Sequence, residues 1–371
     1  MPSVPELAAA VKHFALAAGF DVCGIAPVAG LGELQHFPAW IASGRHGEMK
    51  YMESRDDSGV LKRSSLRTVA PWARSVIVCA INYNTAQTYS TQAADPTRGW
   101  ISRYAWSRED YHDAVLHRLR QVESRLRETQ TPDDPELITR CYVDTGPIVE
   151  RVYARYAGVG WIGKNTCILN QKLGSWLFLG VILTSLELTP DLPAPDRCGT
   201  CTRCIEACPT DAFPSPYQLD SNRCISYLTI EKRGEIPADL REGMGRHVFG
   251  CDICQDVCPW NRRAPATVLP EFQPREGLVN PALAWLAEMT QEAFRQTFRG
   301  SPVRRAKHNG LRRNAALAMG NSGDRRFLPV LQKLANDEDE LVATHARWAM
   351  HKIEGLPESP EHSPPETDLS H

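Results

Sequence analysis

Eight cysteines crowded between residues 198 and 258 constrain this chain more than any other feature of it. The first four run Cys198-x2-Cys201-x2-Cys204-x3-Cys208 and are followed by Pro209. In that spacing three thiolates grip one 4Fe-4S cube, the fourth ligates a second cube, and the proline turns the chain away. The second four are Cys224 and then Cys251-x2-Cys254-x3-Cys258, with Pro259 behind, which repeats the pattern with a long insertion after its first member. Crossover between the runs gives Cys198, Cys201, Cys204 and Cys258 to cluster one and Cys208, Cys224, Cys251 and Cys254 to cluster two, with no ligand left over. Two structural zinc ions would also take two sets of four cysteines, but this spacing suits a tetrahedral ion poorly. Disulfides are the remaining alternative, and they depend on an oxidising compartment.

The compartment is read from the rest of the chain. Met1 to Phe20 is amphipathic, contains Glu6, Lys12 and His13, and has neither a basic n-region nor a twin-arginine signal, so secretion is not expected. The longest uncharged apolar stretch, Leu173 to Leu186, is shorter than the ~20 residues of a membrane-crossing helix. The expectation is a soluble cytoplasmic protein with reduced thiols and no membrane partner. The outlying Cys23, Cys79, Cys141 and Cys167 read as small core hydrophobes. With 371 residues, 42% hydrophobic and 23% charged, the chain is long enough for two or three packed domains. A formal charge of −2 excludes a protein that is basic overall.

The periodicity predicts an α+β chain. Pro5 to Phe20 reads as a helix, Asp21 to Pro27 as a strand, and Ser75 to Tyr83, a continuous apolar run with β-branched residues, as a buried strand. Arg108 to Thr129 places Val115, Leu119, Val122 and Leu126 on one helical face. Strands are expected at Leu137 to Val143 and Ser175 to Glu187, with a helix at Ile148 to Tyr156 between them. This alternation predicts an α/β or α+β domain over residues 1–188, of which α/β is taken as the expectation. Prolines at 190, 193 and 195 then open a cysteine module over 189–265. Residues 266–356 read as helical, with two alanine-rich segments, Leu311 to Gly320 and Leu341 to Met350, 30 residues apart, as in a short α-solenoid. The tail 357–371, rich in proline, serine and glutamate, is expected to be disordered.

Clusters move electrons but do little bond chemistry, so the N-terminal domain must hold the reacting centre or serve as a docking scaffold. No phosphate loop, dinucleotide fingerprint, HExxH motif or serine elbow is present. The densest polar stretch is Val143-Asp-Thr-Gly-Pro147 together with Gly160-Trp-Ile-Gly-Lys-Asn-Thr166. Asp144 ends a predicted strand just before a helix, where it either caps that helix or donates a proton beside a cofactor once partial burial has raised its pKa. Between Arg295 and Lys333 ten basic residues face a single acid, Asp324, for a local charge of +9. Such a run is either a solvated helix face or a phosphate-binding surface. His247 and His308 are assigned no ligand role.

Taken together, the Val143 to Pro147 and Gly160 to Thr166 motifs, the cysteine groups ending in Cys251-Asp-Ile-Cys-Gln-Asp-Val-Cys-Pro-Trp-Asn261, and the helical repeats resemble the epoxyqueuosine reductases over nearly the whole chain up to the tail. One departure is Ser107, where that family's loop leads one to expect glycine. The resemblance implies a cobalamin-binding N-terminal domain, a ferredoxin-like module with two 4Fe-4S clusters, and C-terminal HEAT-like repeats. It implies reduction of epoxyqueuosine to queuosine at the tRNA wobble position, the last step of queuosine biosynthesis, fed by an external low-potential electron donor. By motif, Asp144 would be the proton donor. Arg63, Ile168 and Leu179 would contact the corrin, and Ser226 and Asp252 would set it beside cluster two. Arg233, Arg304, Arg305, Lys307, Arg312 and Arg313 would bind tRNA. Within the same chemistry a cobalamin-dependent reductive dehalogenase is the rival enzyme, and a plain ferredoxin-type electron carrier the rival from another class.

Overall fold

The structure, a computed structural model, describes residues 3–356. The expected disorder of 357–371 therefore lies outside the described residues. At the centre of the N-terminal part stands a four-stranded sheet of β1 (Val22–Pro27), β2 (Ser75–Asn82), β3 (Thr139–Tyr142) and β4 (Leu177–Thr184), in the spatial order β1-β2-β4-β3. Every residue of β2 is buried, as its unbroken apolar run requires of a strand covered on both faces. Val76 faces Leu183 and Ile77 faces Ile182 across the β2–β4 pair.

All three pairings are antiparallel, which corrects the expectation of an α/β domain: this part is α+β. Alternation of helices and strands along a sequence does not fix strand direction. The β1–β2 and β3–β4 connections return to the end of the sheet they left, whereas β2 and β3, both antiparallel to β4, run parallel to each other and are joined by a crossover that carries α2. On one face lie α1 (Val4–Ala17) and α2 (Tyr111–Glu128), and on the other α3 (Glu150–Tyr156). The two helical faces approach the sheet closely. A Cβ on Gly24 in β1 would stand 1.9 Å from the Ala157 carbonyl oxygen behind α3, and one on Gly180 in β4 would meet Leu119 and Val115 of α2 at 3.0 Å.

In the cysteine module the short helices Arg203–Glu206 and Ile253–Asp256 pack against each other, and Cys224 caps the helix Ile225–Ile230. Three C-terminal helices, α4 (His308–Ser322), α5 (Leu328–Leu334) and α6 (Glu340–Glu354), form a layer in which α4 lies against α6. Gly320 permits that contact, since a Cβ there would stand 2.8 Å from Ala349.

The expected division into three consecutive segments is not how the cores are built. Trp100, Ile101, Ala105 and Trp106, from within the N-terminal span, are buried in the same core as residues 225–249 and the C-terminal helices. Trp100–Ile101 also pairs in parallel with His247–Phe249. Two buried polar side chains fasten α4 to this core. Asn314 donates to the Thr229 and Val248 carbonyls at 2.9 Å each, and Arg313 donates to those of Leu228, Lys232 and Gly234 at 2.8–3.0 Å.

Candidate active site

The thiols segregate into the two sets expected from crossover. Cys204 has Cys198 and Cys201 as its electrostatic neighbours, and Cys258, from the far end of the module, joins Cys204 and Cys198. Cys251 neighbours Cys224 and Cys208, while Cys254 neighbours Cys251 and Cys224. Among the described residues no three His, Cys, Asp or Glu side chains close tightly enough around a point to hold a single ion. Cys167 departs from the expectation of an inert core thiol, because it lies in hydrogen-bonding contact with Cys254 of the second set. Cys23 and Cys79 do sit in the core, directly opposite each other on β1 and β2 with sulfurs 3.7 Å apart.

Asp144 follows β3 with a φ of 57°, a left-handed conformation that aspartate tolerates and that turns its side chain off the strand line. The carboxylate is 70% exposed, while Val143, Gly146 and Ile148 beside it are buried. Tyr111 donates to Asp144 Oδ2 at 3.0 Å, and His112 Nε2 stands 3.9 Å from the same oxygen. On its other side the His112 ring meets Asp110 Oδ1 at 2.7 Å, while Asp110 also caps α2.

This arrangement reverses one expectation. His112 foremost, then Tyr111, hold the Asp144 carboxyl below its ordinary pKa, against burial, which would raise it. Burial alone would lower the imidazole, but Asp110 and Asp144 outweigh it and raise His112 to about 9. At neutral pH the shared proton therefore resides on His112 and the negative charge on Asp144. Glu150, whose Oε1 is buried without a partner, is pushed to about 7 by burial and then by the Asp144 charge. Sequence reasoning missed Tyr111, His112 and Glu150. The Asp110-Tyr-His112 string offers a local signal, but the partner it serves is 32 positions away.

Arg63 belongs to this place, donating to the Gly146 carbonyl at 3.1 Å and that of Tyr51 at 2.9 Å. Ile168, in a small hairpin with Trp161–Ile162, and Leu179 of β4 share one apolar cluster with Tyr142 and Ile148, on either side of Asp144. Ser226 sits two residues after Cys224, half-buried. Asp252 corrects its expected role. Its carboxylate is 1% exposed and is occupied by the Trp100 indole at 2.9 Å, the Ser102 hydroxyl and the Arg103 backbone amide at 2.8 Å, leaving nothing for a corrin. Between the two centres stands Tyr104, whose ring packs 5.9 Å from Tyr111 and 6.0 Å from Phe249, two residues before Cys251.

A basic surface adjoins this place. The Arg305 guanidinium lies 5.4 Å over the Tyr51 ring that Arg63 also covers, pairs with Glu231, and accepts at its carbonyl from Arg233 at 2.9 Å. Arg304 and Lys307 are exposed beside it. Two expected phosphate ligands are corrected. Arg313 is 0% exposed and occupied by backbone carbonyls, and Arg312, 14% exposed, bonds the Ala287 carbonyl and pairs with Asp337 at 2.5 Å.

Comparison with known proteins bears on this geometry. Residues 63–145 match the family described as "Epoxyqueuosine reductase QueG, DUF1730", and residues 197–261 match the "4Fe-4S double cluster binding domain". The epoxyqueuosine reductase of Pseudomonas aeruginosa is 41% identical over 95% of this chain and 96% of its own, and that of Escherichia coli 37% identical over 93% and 89%. A crystal structure of epoxyqueuosine reductase with an epoxyqueuosine-modified tRNA-Tyr stem loop superposes with a TM-score of 0.83 at 30% identity, covering 94% of this chain and 90% of that one. The Streptococcus thermophilus enzyme gives 0.82 at 26% identity, over 95% and 91%. With relatives this similar across almost their full length, the chain belongs to the epoxyqueuosine reductase family.

Proposed function

We propose that Asp144 delivers the proton in the reaction of this family, the reduction of epoxyqueuosine to queuosine in tRNA. The observation that carries the reading is the exposed Asp144 carboxylate bonded to Tyr111 and backed by His112, in a place that Tyr104 links to the second thiol set. Converting the epoxide to an alkene consumes two electrons and two protons and releases water. When bound, cobalamin supplies a low-potential, strongly nucleophilic cobalt centre for the electron transfer. The residues present fit it: Arg63 and the apolar pair Ile168 and Leu179 would hold the corrin, and the partnerless Glu150 oxygen would accept from an amide.

In this reading the protein's part is protonic. As the C–O bond opens, negative charge grows on oxygen, and the proton stored on His112 passes to it through Asp144, which ends ionised beside a neutral imidazole. Tyr111, its hydroxyl held protonated by burial and then by the Asp144 charge, fixes the carboxylate orientation. Arg233, Arg304, Arg305 and Lys307 meet the anticodon-arm phosphates, and splaying the modified base out of its loop brings it to Asp144. The layer of α4, α5 and α6 is read as HEAT-like, shaping that RNA face.

The test is Asp144→Asn in protein reconstituted anaerobically with iron, sulfide and cobalamin. Turnover of epoxyqueuosine-containing tRNA, read by nucleoside mass spectrometry, is expected to fall by about 10²-fold or more with both cofactors retained. Undiminished conversion would remove Asp144 from the chemistry.

A further inference from the structure

We infer that the basic rim over the first thiol set is the docking face for a small acidic protein that carries one electron at a time. The inference rests on the iron–sulfur reading and on the function proposed above. Four thiols, Cys198, Cys201, Cys204 and Cys258, line a concavity of about 260 Å³, and every charged side chain lining it is basic: Lys164, Arg197 and Arg203. None of the three has a carboxylate within 4.0 Å among the described residues. Lys164 instead donates to the Gly199 carbonyl at 2.7 Å, which holds its charge at the mouth.

The order of the two sets gives this rim its meaning. Around the first set Arg197, Gly199, Thr200, Arg203 and Pro259 are exposed, whereas the flanks of the second, Ile225, Tyr227 and Asp252, are buried. The second set adjoins Tyr104 and hence Asp144, so electrons from outside arrive at the first. Beside the mouth Leu192 is 87% exposed, on the segment that runs to Ala194 in the apolar cluster of Trp161, Trp260 and Cys258. Asp196 offsets part of the Lys164 charge, but Arg197 and Arg203 keep the rim basic around an apolar patch, which is the make-up of a small, transient interface steered by charge, and its complement is acidic. Transfer RNA is the other polyanion available, but its proposed face runs through Arg63, Tyr51, Arg305 and Arg233 beside Asp144.

The test uses reconstituted holoenzyme without tRNA, so that RNA binding cannot enter the rate. Stopped-flow bleaching of the clusters is followed with two probes, flavodoxin hydroquinone, which is acidic, and the methyl viologen radical cation. In the wild type the flavodoxin rate falls as salt is raised from ~50 to ~500 mM, and Arg197→Glu with Arg203→Glu lowers it about tenfold at low salt. The paired Arg197→Gln and Arg203→Gln variant gives a smaller loss in the same direction, and the viologen rate holds or rises in both. An equal loss with both probes would make the rim a device that sets cluster potential and overturn the inference. So would a salt-independent flavodoxin rate, or weakened tRNA binding with flavodoxin reduction intact. Wild-type conversion of epoxyqueuosine tRNA with a chemical reductant, measured in parallel, separates failure of the docking face from failure of the proposed function.

Discussion

His112→Gln locates the proton store. The ring is one-third exposed and stands between two carboxylates, 2.7 Å from Asp110 and 3.9 Å from Asp144. Burial disfavours its charge, but those carboxylates prevail and raise the imidazole from 6.5 to about 9. At about 1.4 kcal/mol per tenfold change in proton affinity the gap corresponds to roughly 3 kcal/mol, which screening at the exposed edge reduces to ~1–2 kcal/mol. Because the folded pKa lies above the unfolded one, this stabilisation is complete below about pH 6.5, declines as pH rises, and is gone above about pH 9. Glutamine keeps a donor and an acceptor near both carboxylates but carries no charge. Urea unfolding is therefore expected to show the variant ~1–2 kcal/mol less stable at about pH 5.5 and equal to wild type at about pH 10. In single-turnover assays the wild-type rate falls as pH passes about 9, whereas the variant is slower by about 10–10²-fold and lacks that limb. A destabilisation that is the same at both pH values, or an alkaline limb that survives the substitution, refutes the assignment.

Other expectations follow from named contacts. Arg313→Met leaves the buried Leu228 carbonyl and the Lys232 and Gly234 carbonyls without their donor and costs ~2–4 kcal/mol in urea unfolding, while tRNA affinity per folded molecule stays unchanged. Arg304→Ala and Lys307→Ala each weaken tRNA binding and lower its salt slope by about one; an unchanged slope would put the phosphate contacts elsewhere. Gly24→Ala drives a methyl into the Ala157 carbonyl and lowers the melting temperature, with an expected cost of ~2 kcal/mol or more; a wild-type melting curve would show that α3 can move away from the sheet at no cost.

What the sequence disclosed and what it withheld divide along a physical line. The buried strand Ser75–Asn82 and the helix Tyr111–Glu128 were legible because periodicity reports burial directly. The double-cluster module was legible because a cube imposes short spacers on the chain that wraps it. Strand direction was not, since the same alternation of elements serves parallel and antiparallel sheets. Nor was the migration of Trp100–Trp106 into the C-terminal core, which depends on pairing with a strand almost 150 positions later. A count of positive charge could not separate Arg304, which meets solvent, from Arg313, which is sealed against carbonyls. The same blindness gave Asp144 the wrong direction of shift. Burial was foreseeable from its place after a strand, but the imidazole that overrides burial comes from another helix.

That override ties proton supply to electron supply. Asp252 follows the cluster ligand Cys251 directly, and its buried carboxylate holds the Trp100 indole and the Arg103 amide. The next residue, Tyr104, packs on Tyr111, which in turn bonds Asp144. Three short contacts thus run from the segment that wraps the second cluster to the carboxylate. Arg103 stiffens the first of them: it is 1% exposed, donates to the Thr85, Gln87 and Thr88 carbonyls, and lies about 5 Å from the Trp106 and Trp176 rings. A loop held at this many points cannot shift at one end alone. A shift of the segment around Cys251 would therefore be carried along these contacts to Tyr111 and the Asp144 carboxylate.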